Sequence, residues 1–323
     1  MEPTSTLEIS PEKMDFRAYS ISWNLTKRCN LNCDHCYLDA EFRGGLKTDE
    51  LNTEECFRVI DQIAEVNPNA FLILTGGEPL LRPDIYEIIR YAADKKFMVV
   101  LGTNGTMINR VNAEKIKAAG AHGVGISIDS MNPDKHNKFR GVEKAWEHSM
   151  EAFDILNEVG VDFLVQMSVS DMNYKEIPDV VEFTEKIGAI AFNLYFLVCT
   201  GRGQGNTDIS NEAYEEALKM LYDQQMKYKG KLMINSKCAP QYKRVVYEND
   251  PESVYTRTYS GGCPAATHYS RISPEGNLTP CPFIEESVGN LKSRSFKDLW
   301  ENAPLMVQLR DRKELDGKCG SCE

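Results

Sequence analysis

Long hydrophobic runs are missing from this chain of 323 residues. None approaches the roughly 18 apolar residues that a membrane span needs. Residues 1–16 are polar and acidic, unlike a secretory signal. A cytoplasmic location without a membrane partner is therefore expected. Positive charge is short as well: 37 Lys and Arg against 48 Asp and Glu give a net charge of −11. That argues against a surface tracking phosphates, so no nucleic-acid partner is expected. Internal repeats and low-complexity segments are absent. Only residues 1–18 precede the first expected strand, too few for a domain of their own.

Cysteine, in contrast, is plentiful. The chain has ten, and in a reducing compartment clustered cysteines point to metal or catalysis rather than disulfides. Seven fall in two groups, Cys29/Cys33/Cys36 and Cys263/Cys281/Cys319/Cys322, leaving Cys56, Cys199 and Cys238 scattered. A hydrophobic content of 42% and a charged content of 26% provide an ordinary globular core around them.

Residues 19–26 (YSISWNLT) alternate, are rich in β-formers and run almost directly into Cys29-Asn30-Leu31-Asn32-Cys33-Asp34-His35-Cys36, a C-x3-C-x2-C spacing. Three thiolates on one tight loop suit an iron–sulfur cluster. A [4Fe–4S] cube held this way keeps one iron free to bind a small molecule and pass it an electron. Zinc is the alternative, although it ordinarily takes a fourth Cys or His, and His35 lies inside the loop itself.

Downstream, residues 52–65 have helical spacing, with Cys56 on the apolar face beside Val59, Ile60 and Ile63, which marks Cys56 as core. Residues 70–74 form a short apolar run that breaks at Thr75-Gly76-Gly77-Glu78-Pro79. Helix and strand then alternate: helix 84–93, strand 97–101 ending in Gly102-Thr103-Asn104-Gly105, helix 113–119, strand 123–128 ending in Asp129-Ser130. Helix 146–159, strand 162–169, helix 177–187 and strand 191–198 complete the series. Six strands alternating with helices predict a parallel sheet covered by helices. The run Phe71-Leu72-Ile73-Leu74 predicts burial on both strand faces. Each unusual motif follows a strand, on the edge where such sheets bind ligands. Six units rather than eight predict an incomplete, open barrel.

After residues 199–205 the rhythm changes. A long amphipathic helix over 211–229 leads to a less regular tail. There, segments 267–273 and 277–279 flank a hairpin turn at Glu275-Gly276. Short helices over 296–301 and 305–310 precede Cys319-Gly320-Ser321-Cys322. The expected fold class is α/β: an N-terminal extension (1–18), a (β/α)6 partial barrel (19–230) and a smaller α+β cluster domain (231–323).

The paired motifs, C-x3-C-x2-C after the first strand and Gly-Gly-Glu-Pro after the second, resemble the radical S-adenosylmethionine (SAM) superfamily over residues 19–198. The resemblance implies that Cys29, Cys33 and Cys36 hold a [4Fe–4S] cluster whose open iron is chelated by SAM. Reductive cleavage of SAM would then give a 5′-deoxyadenosyl radical that abstracts hydrogen from substrate. It further implies that His35 meets adenine through its backbone and that Gly76, Gly77 and Glu78 receive the SAM amine. Asn104, Ser127 and Asp129 become ribose or carboxylate contacts, and Arg140, expected on a loop, a partner of the SAM carboxylate. Polar strand tips that only cap or turn, and a plain surface charge at Arg140, are the plainer readings.

The tail is similar to SPASM/twitch domains, which hold auxiliary clusters: Cys263, twelve residues, Gly276, four residues, Cys281, then Cys319-x2-Cys322. The further cysteines of a full SPASM pattern do not follow, so the chain is either truncated or builds a single auxiliary [4Fe–4S] cluster. The wording of residues 196–203, 272–283 and 287–291 is most similar to the branch that makes haem d1 and haem by the siroheme route. That branch implies a tetrapyrrole with several carboxylates, basic residues such as Arg202, Arg271 or Lys237 around the cavity, and a ferredoxin or flavodoxin as electron donor. Arg202 is then a candidate substrate-carboxylate contact, with a solvated loop charge as its alternative. Cys238 could face substrate or complete a cluster, or simply be buried. Competing readings are a peptide maturase of the SPASM group and a non-catalytic Fe–S electron carrier, which would need neither the glycine turn nor a barrel.

Overall fold

The computed structural model describes residues 16–45, 49–205, 209–253, 262–311 and 317. Cys319 and Cys322 lie outside the described residues. The strands are β1 (Ser20–Asn24), β2 (Arg28–Cys29), β3 (Glu41–Phe42), β4 (Phe71–Thr75), β5 (Met98–Thr103), β6 (Gly123–Ser127), β7 (Phe163–Val169) and β8 (Ala191–Phe196). They continue with β9 (Met233–Lys237), β10 (Tyr269–Ile272), β11 (Asn277–Thr279) and β12 (Gly289–Asn290). Ten of them form one open sheet in the order β12-β11-β10-β1-β4-β5-β6-β7-β8-β9. From β10 through β9 every neighbouring pair is parallel. β10, β11 and β12 form the antiparallel meander of the tail, with the expected turn at Glu275-Gly276.

Helices cross between the strands: α1 (Thr53–Val66), α2 (Ile85–Asp94), α3 (Arg110–Ala118), α4 (Pro133–Arg140), α5 (Ala145–Val159), α6 (Ile177–Lys186) and α7 (Asn211–Lys227). Then come α8 (Tyr242–Asn249), α9 (Phe296–Asn302) and α10 (Pro304–Arg310). Their starts follow from local chemistry. Asn52 and Glu55 close a reciprocal capping box on α1, and Asn109, Asn132, Ser210 and Ser295 cap α3, α4, α7 and α9. No helix among the described residues is long and apolar enough to cross a membrane.

Two expectations change. The strands are not equally buried on both faces: in β4 Leu72 and Leu74 are buried, Phe71 and Ile73 only half-buried. Ile21, Trp23, Leu72, Leu74, Val99, Leu101, Val124, Ile126, Val165, Met167, Phe192 and Leu194 form one buried core with the helices. The opposite face is mixed: Phe71, Ile73, Val100 and Leu164 lie there beside Asn24, Thr75, Ser127, Gln166, Asn193, Tyr195, Asn235, Lys237 and Arg271. Register aligns Ser127, Gln166, Asn193 and Asn235 in one polar row across four strands. Helices cover only the outer face, so only the outer positions have to be apolar, and the concave face is free to be polar. Second, the sheet continues past residue 230, because β9 adds a parallel strand next to β8. The segment expected as a loop around Arg140 is the helix α4, stopped by Gly141 at φ 68°.

Candidate active site

The cluster loop begins where β2 pairs with β3, which fixes Cys29 in the sheet-like entry of the loop. Cys29 and Cys33 are buried and Cys36 is half-buried. Each sulfur faces a donor: Leu31 N–H to Cys29 Sγ at 3.4 Å, Ala40 N–H to Cys36 Sγ at 3.4 Å, and Arg140 Nη1 to Cys33 Sγ at 3.8 Å. Burial pushes the Cys29 thiol up to about 12 and raises that of Cys33 also. Enclosed thiols that nonetheless face N–H donors suit sulfur bound as thiolate to a cationic centre, where metal binding drives deprotonation. The residues therefore fit an iron–sulfur cluster. Among the described residues no three His, Cys, Asp or Glu side chains converge as ligands of a single ion; a cube spreads its thiolates over separate irons and does not require that.

The glycine turn packs on this loop. Gly77 N–H donates to Thr26 O at 2.7 Å and Glu78 N–H to Arg28 O at 2.8 Å. A Cβ on Gly77 would stand 2.2 Å from Arg28 O, and one on Gly76 2.7 Å from Thr26 O. The missing side chains thus admit the chain's own backbone beside the first cysteine. Glu78 is fully buried and turned inward, accepting from Thr103 Oγ1 at 2.8 Å, Asn104 N at 2.9 Å and Leu80 N at 3.1 Å. Burial raises its carboxyl to about 7 against those three hydrogen bonds. Glu78, expected to receive the SAM amine, clasps the turn after β4 to Thr103 and Asn104 at the end of β5.

Asn104 lies behind the first ligand. Its Nδ2 donates to Asn30 Oδ1 at 2.8 Å and lies 4.0 Å from Cys29 Sγ, while Asn30 Nδ2 donates to Thr106 Oγ1 at 2.7 Å. Asp129, fully buried, takes Arg140 Nε at 2.6 Å and Ser168 N at 2.9 Å. Burial would raise its carboxyl, but Arg140 holds it below the usual range. His136 accepts the Asp129 N–H at 3.2 Å, and burial lowers the ring to about 4, keeping it neutral. Ser127 sits half-buried on β6 in the polar row. The His35 ring stacks on Phe139 with centroids 4.0 Å apart, its enclosed Nδ1 lacks a partner among the described residues, and burial drops its pKa to about 3.

Arg202 belongs to the cluster loop's support. Its Nε donates to Cys33 O at 3.1 Å and its Nη1 to Ala40 O at 2.7 Å and Asp39 Oδ1 at 3.0 Å. Gly201, at φ 57°, leaves Cys36 O and Tyr37 O within 2.6 Å of where a Cβ would stand. In the tail, Cys281 is half-buried and accepts from Phe283 N at 3.3 Å, and Cys263 is exposed. Cys238 is exposed as a residue, and its thiol is raised by partial desolvation and by the neighbouring Cys281 and Cys263. The same thiol occupies a left-handed backbone position at φ 60°. Cys56 is fully buried core, and Cys199 is exposed. The sequence reading missed Asn30, Thr106 and the tyrosines of the concave face, because nothing local to them signals convergence.

A family model described as the Radical SAM superfamily matches residues 23–184, and one described as SPASM, an iron-sulfur cluster-binding domain, matches residues 263–323. The chain is also 37% identical over 311 residues, covering 94% of itself and 88% of the relative, to a protein of Methanosarcina barkeri named AdoMet-dependent heme synthase.

This chain belongs to the radical SAM superfamily.

A second protein of that name, from Nitratidesulfovibrio vulgaris, is 34% identical over 94% of this radical SAM chain and 84% of its own length. Among solved structures, Streptococcus suis SuiB bound to S-adenosylmethionine superposes with a TM-score of 0.75 at 18% identity, over 95% of this chain and 71% of the other, which shows a shared fold. The radical SAM domain binds a [4Fe–4S] cluster and SAM, and the SPASM domain brings an auxiliary Fe–S cluster.

Proposed function

We propose that this radical SAM enzyme remodels carboxylate side chains of an iron tetrapyrrole in haem or haem d1 formation. The observation that carries this reading is its likeness, over most of both chains, to proteins named AdoMet-dependent heme synthase. The polar row across the concave face of the barrel supports it, since a macrocycle with several carboxylates needs donors along a broad surface.

The bound cluster with SAM supplies a 5′-deoxyadenosyl radical that takes hydrogen from substrate. The chain's residues do the holding. Cys29, Cys33 and Cys36 are assigned as the cluster ligands, each sulfur held by its own donor. Gly76, Gly77 and Glu78 shape the turn for the SAM amine, with Glu78 acting through its clasp on Thr103 and Asn104 rather than by contact. Asn104, Ser127, Asp129 and Arg140 border the SAM site, His35 meets adenine through its backbone, and the Asp129–Arg140 pair braces Cys33. Cys263, Cys281, Cys319 and Cys322 serve the auxiliary cluster. A low-potential ferredoxin or flavodoxin in the cytoplasm delivers the electron.

Anaerobically reconstituted protein with dithionite and SAM is expected to form 5′-deoxyadenosine, and Cys33→Ala to abolish it. Incubation with didecarboxysiroheme or iron coproporphyrin III should then change the macrocycle mass. Undiminished cleavage in Cys33→Ala would overturn the ligand assignment. An unchanged mass for both macrocycles would overturn the tetrapyrrole reading.

A further inference from the structure

Two cations face the concave side of the barrel without an ion-pair partner among the described residues. Lys237 ends β9 and sits opposite Tyr195 of β8. Alternation places it on the face of Asn193 and Asn235, whose side chains bond at 3.0 Å. It is half-buried, and its ammonium has no hydrogen bond or ion pair among the described residues. Arg271, on β10 opposite Ser22 of β1, donates Nε to Asn24 Oδ1 at 2.6 Å, and its two terminal nitrogens hold no partner among the described residues. A carboxylate that acts on it, Glu275, is paired with Lys27 at 3.3 Å and accepts from Ser273 at 2.7 Å.

The hydroxyl groups around them complete a cradle. Tyr37, next to the cluster ligand Cys36, accepts from Asn24 at 2.9 Å and so stands beside Arg271. Tyr195 adjoins Lys237 in register, and Tyr269 shares the strand and face of Arg271. All four groups are half-buried, and this partial burial lowers the pKa of both cations and raises that of Tyr195 and Tyr269. A partly desolvated cation without a counter-ion is unfavourable, and an arriving anion relieves it. β9 is the edge strand on one side and β10 the last parallel strand on the other, where β11 and β12 continue the sheet. Yet Tyr195 of β8 interacts electrostatically with Tyr37 and with Tyr269 of β10, so the two sides face one another.

We propose that Lys237 and Arg271 are two carboxylate subsites on the concave face, one on β9 and one on β10, which grip separate acidic side chains of one substrate and hold its ring between the SAM cluster loop and Cys281. The proposal rests on the tetrapyrrole reading and deepens it. Arg271 offers a planar fork for one carboxylate, Lys237 a point charge for another. Tyr37, Tyr195 and Tyr269 add donors and aromatic faces between them.

The test is a visible-absorption titration of the SAM-free holoenzyme with iron coproporphyrin III and with its tetramethyl ester, which keeps the ring and loses the charges. Lys237→Gln and Arg271→Gln should each weaken tetracarboxylate binding by about tenfold to a hundredfold, as for one charged hydrogen bond, and leave ester binding within about twofold. Lys237→Arg should restore most of the affinity. An unchanged melting temperature without porphyrin verifies that the variants fold. Equal weakening for acid and ester, or no weakening, would overturn the subsites while wild-type turnover still supports the tetrapyrrole reading. Absence of wild-type binding to either porphyrin would overturn the reading and the subsites together.

Discussion

Arg202 Nε donates to the carbonyl of Cys33 at 3.1 Å, across 169 positions of sequence. The loop after β8 therefore fastens the cluster loop after β1. With Nη1 also on Ala40 O, the guanidinium spans both ends of the segment that carries Cys36. Arg202→Ala should leave the barrel folded and loosen this segment. Each lost bond is a hydrogen bond from a charged group, so cluster bleaching by a chelator should speed up by roughly tenfold or more. Absorbance near the cluster band against time checks it, and an unchanged rate would remove Arg202 from the loop's support.

Gly77 has no room for a methyl group. Arg28 O would lie 2.2 Å from its Cβ, whereas nothing lies within 4 Å of a Cβ on Gly45. Gly77→Ala should cost about 1–3 kcal/mol or more, as overpacking does, and Gly45→Ala almost nothing. Urea unfolding of the two variants gives the comparison.

Asp129 and Arg140 form a pair removed from water, at 2.6 Å. Asp129→Asn leaves a buried guanidinium uncompensated, with an expected loss of about 3–5 kcal/mol. The double variant Asp129→Leu/Arg140→Met should lose less than Asp129→Asn alone, since no charge is left stranded. A larger loss in the double variant would show that packing rather than charge dominates.

Glu78 imposes a pH dependence of known sign. Its carboxyl rises from 4.5 to about 7 on folding, so the folded chain prefers it protonated. That contribution is fully present below pH 4.5 and is lost as pH rises through about 7. The cluster-free protein should lose up to about 1.4 kcal/mol per pH unit across this window. Glu78→Gln should flatten the slope, which melting temperatures between pH 5 and pH 8 would reveal.

The local code carried much of this molecule. Alternation of strand and helix sets the parallel order, because each amphipathic helix must cover the sheet before the next strand can pair. The cysteine spacing and the Gly-Gly-Glu-Pro turn mark the cluster loop and its neighbour, because both depend on residues adjacent in sequence. Gly276 likewise sits at φ 89° in the hairpin turn, where a residue without Cβ is favoured.

Tertiary structure alone decided what those parts touch. Whether Gly77 makes room for a ligand or for Arg28 O, whether Glu78 points out or into Thr103, and whether Arg202 meets substrate or Cys33 O all depend on approach between distant segments. The strand run Phe71-Leu72-Ile73-Leu74 gave no sign that one face would be left open, since burial follows from what packs on it. Lys237 and Arg271, on β9 and β10, share the concave face only because strand order and register put them there, through the run of parallel pairings from β10 to β9. Sequence by itself determined which chemistry the chain carries. Long-range packing, which sets the distances and the dielectric around each group, decided which residues perform it.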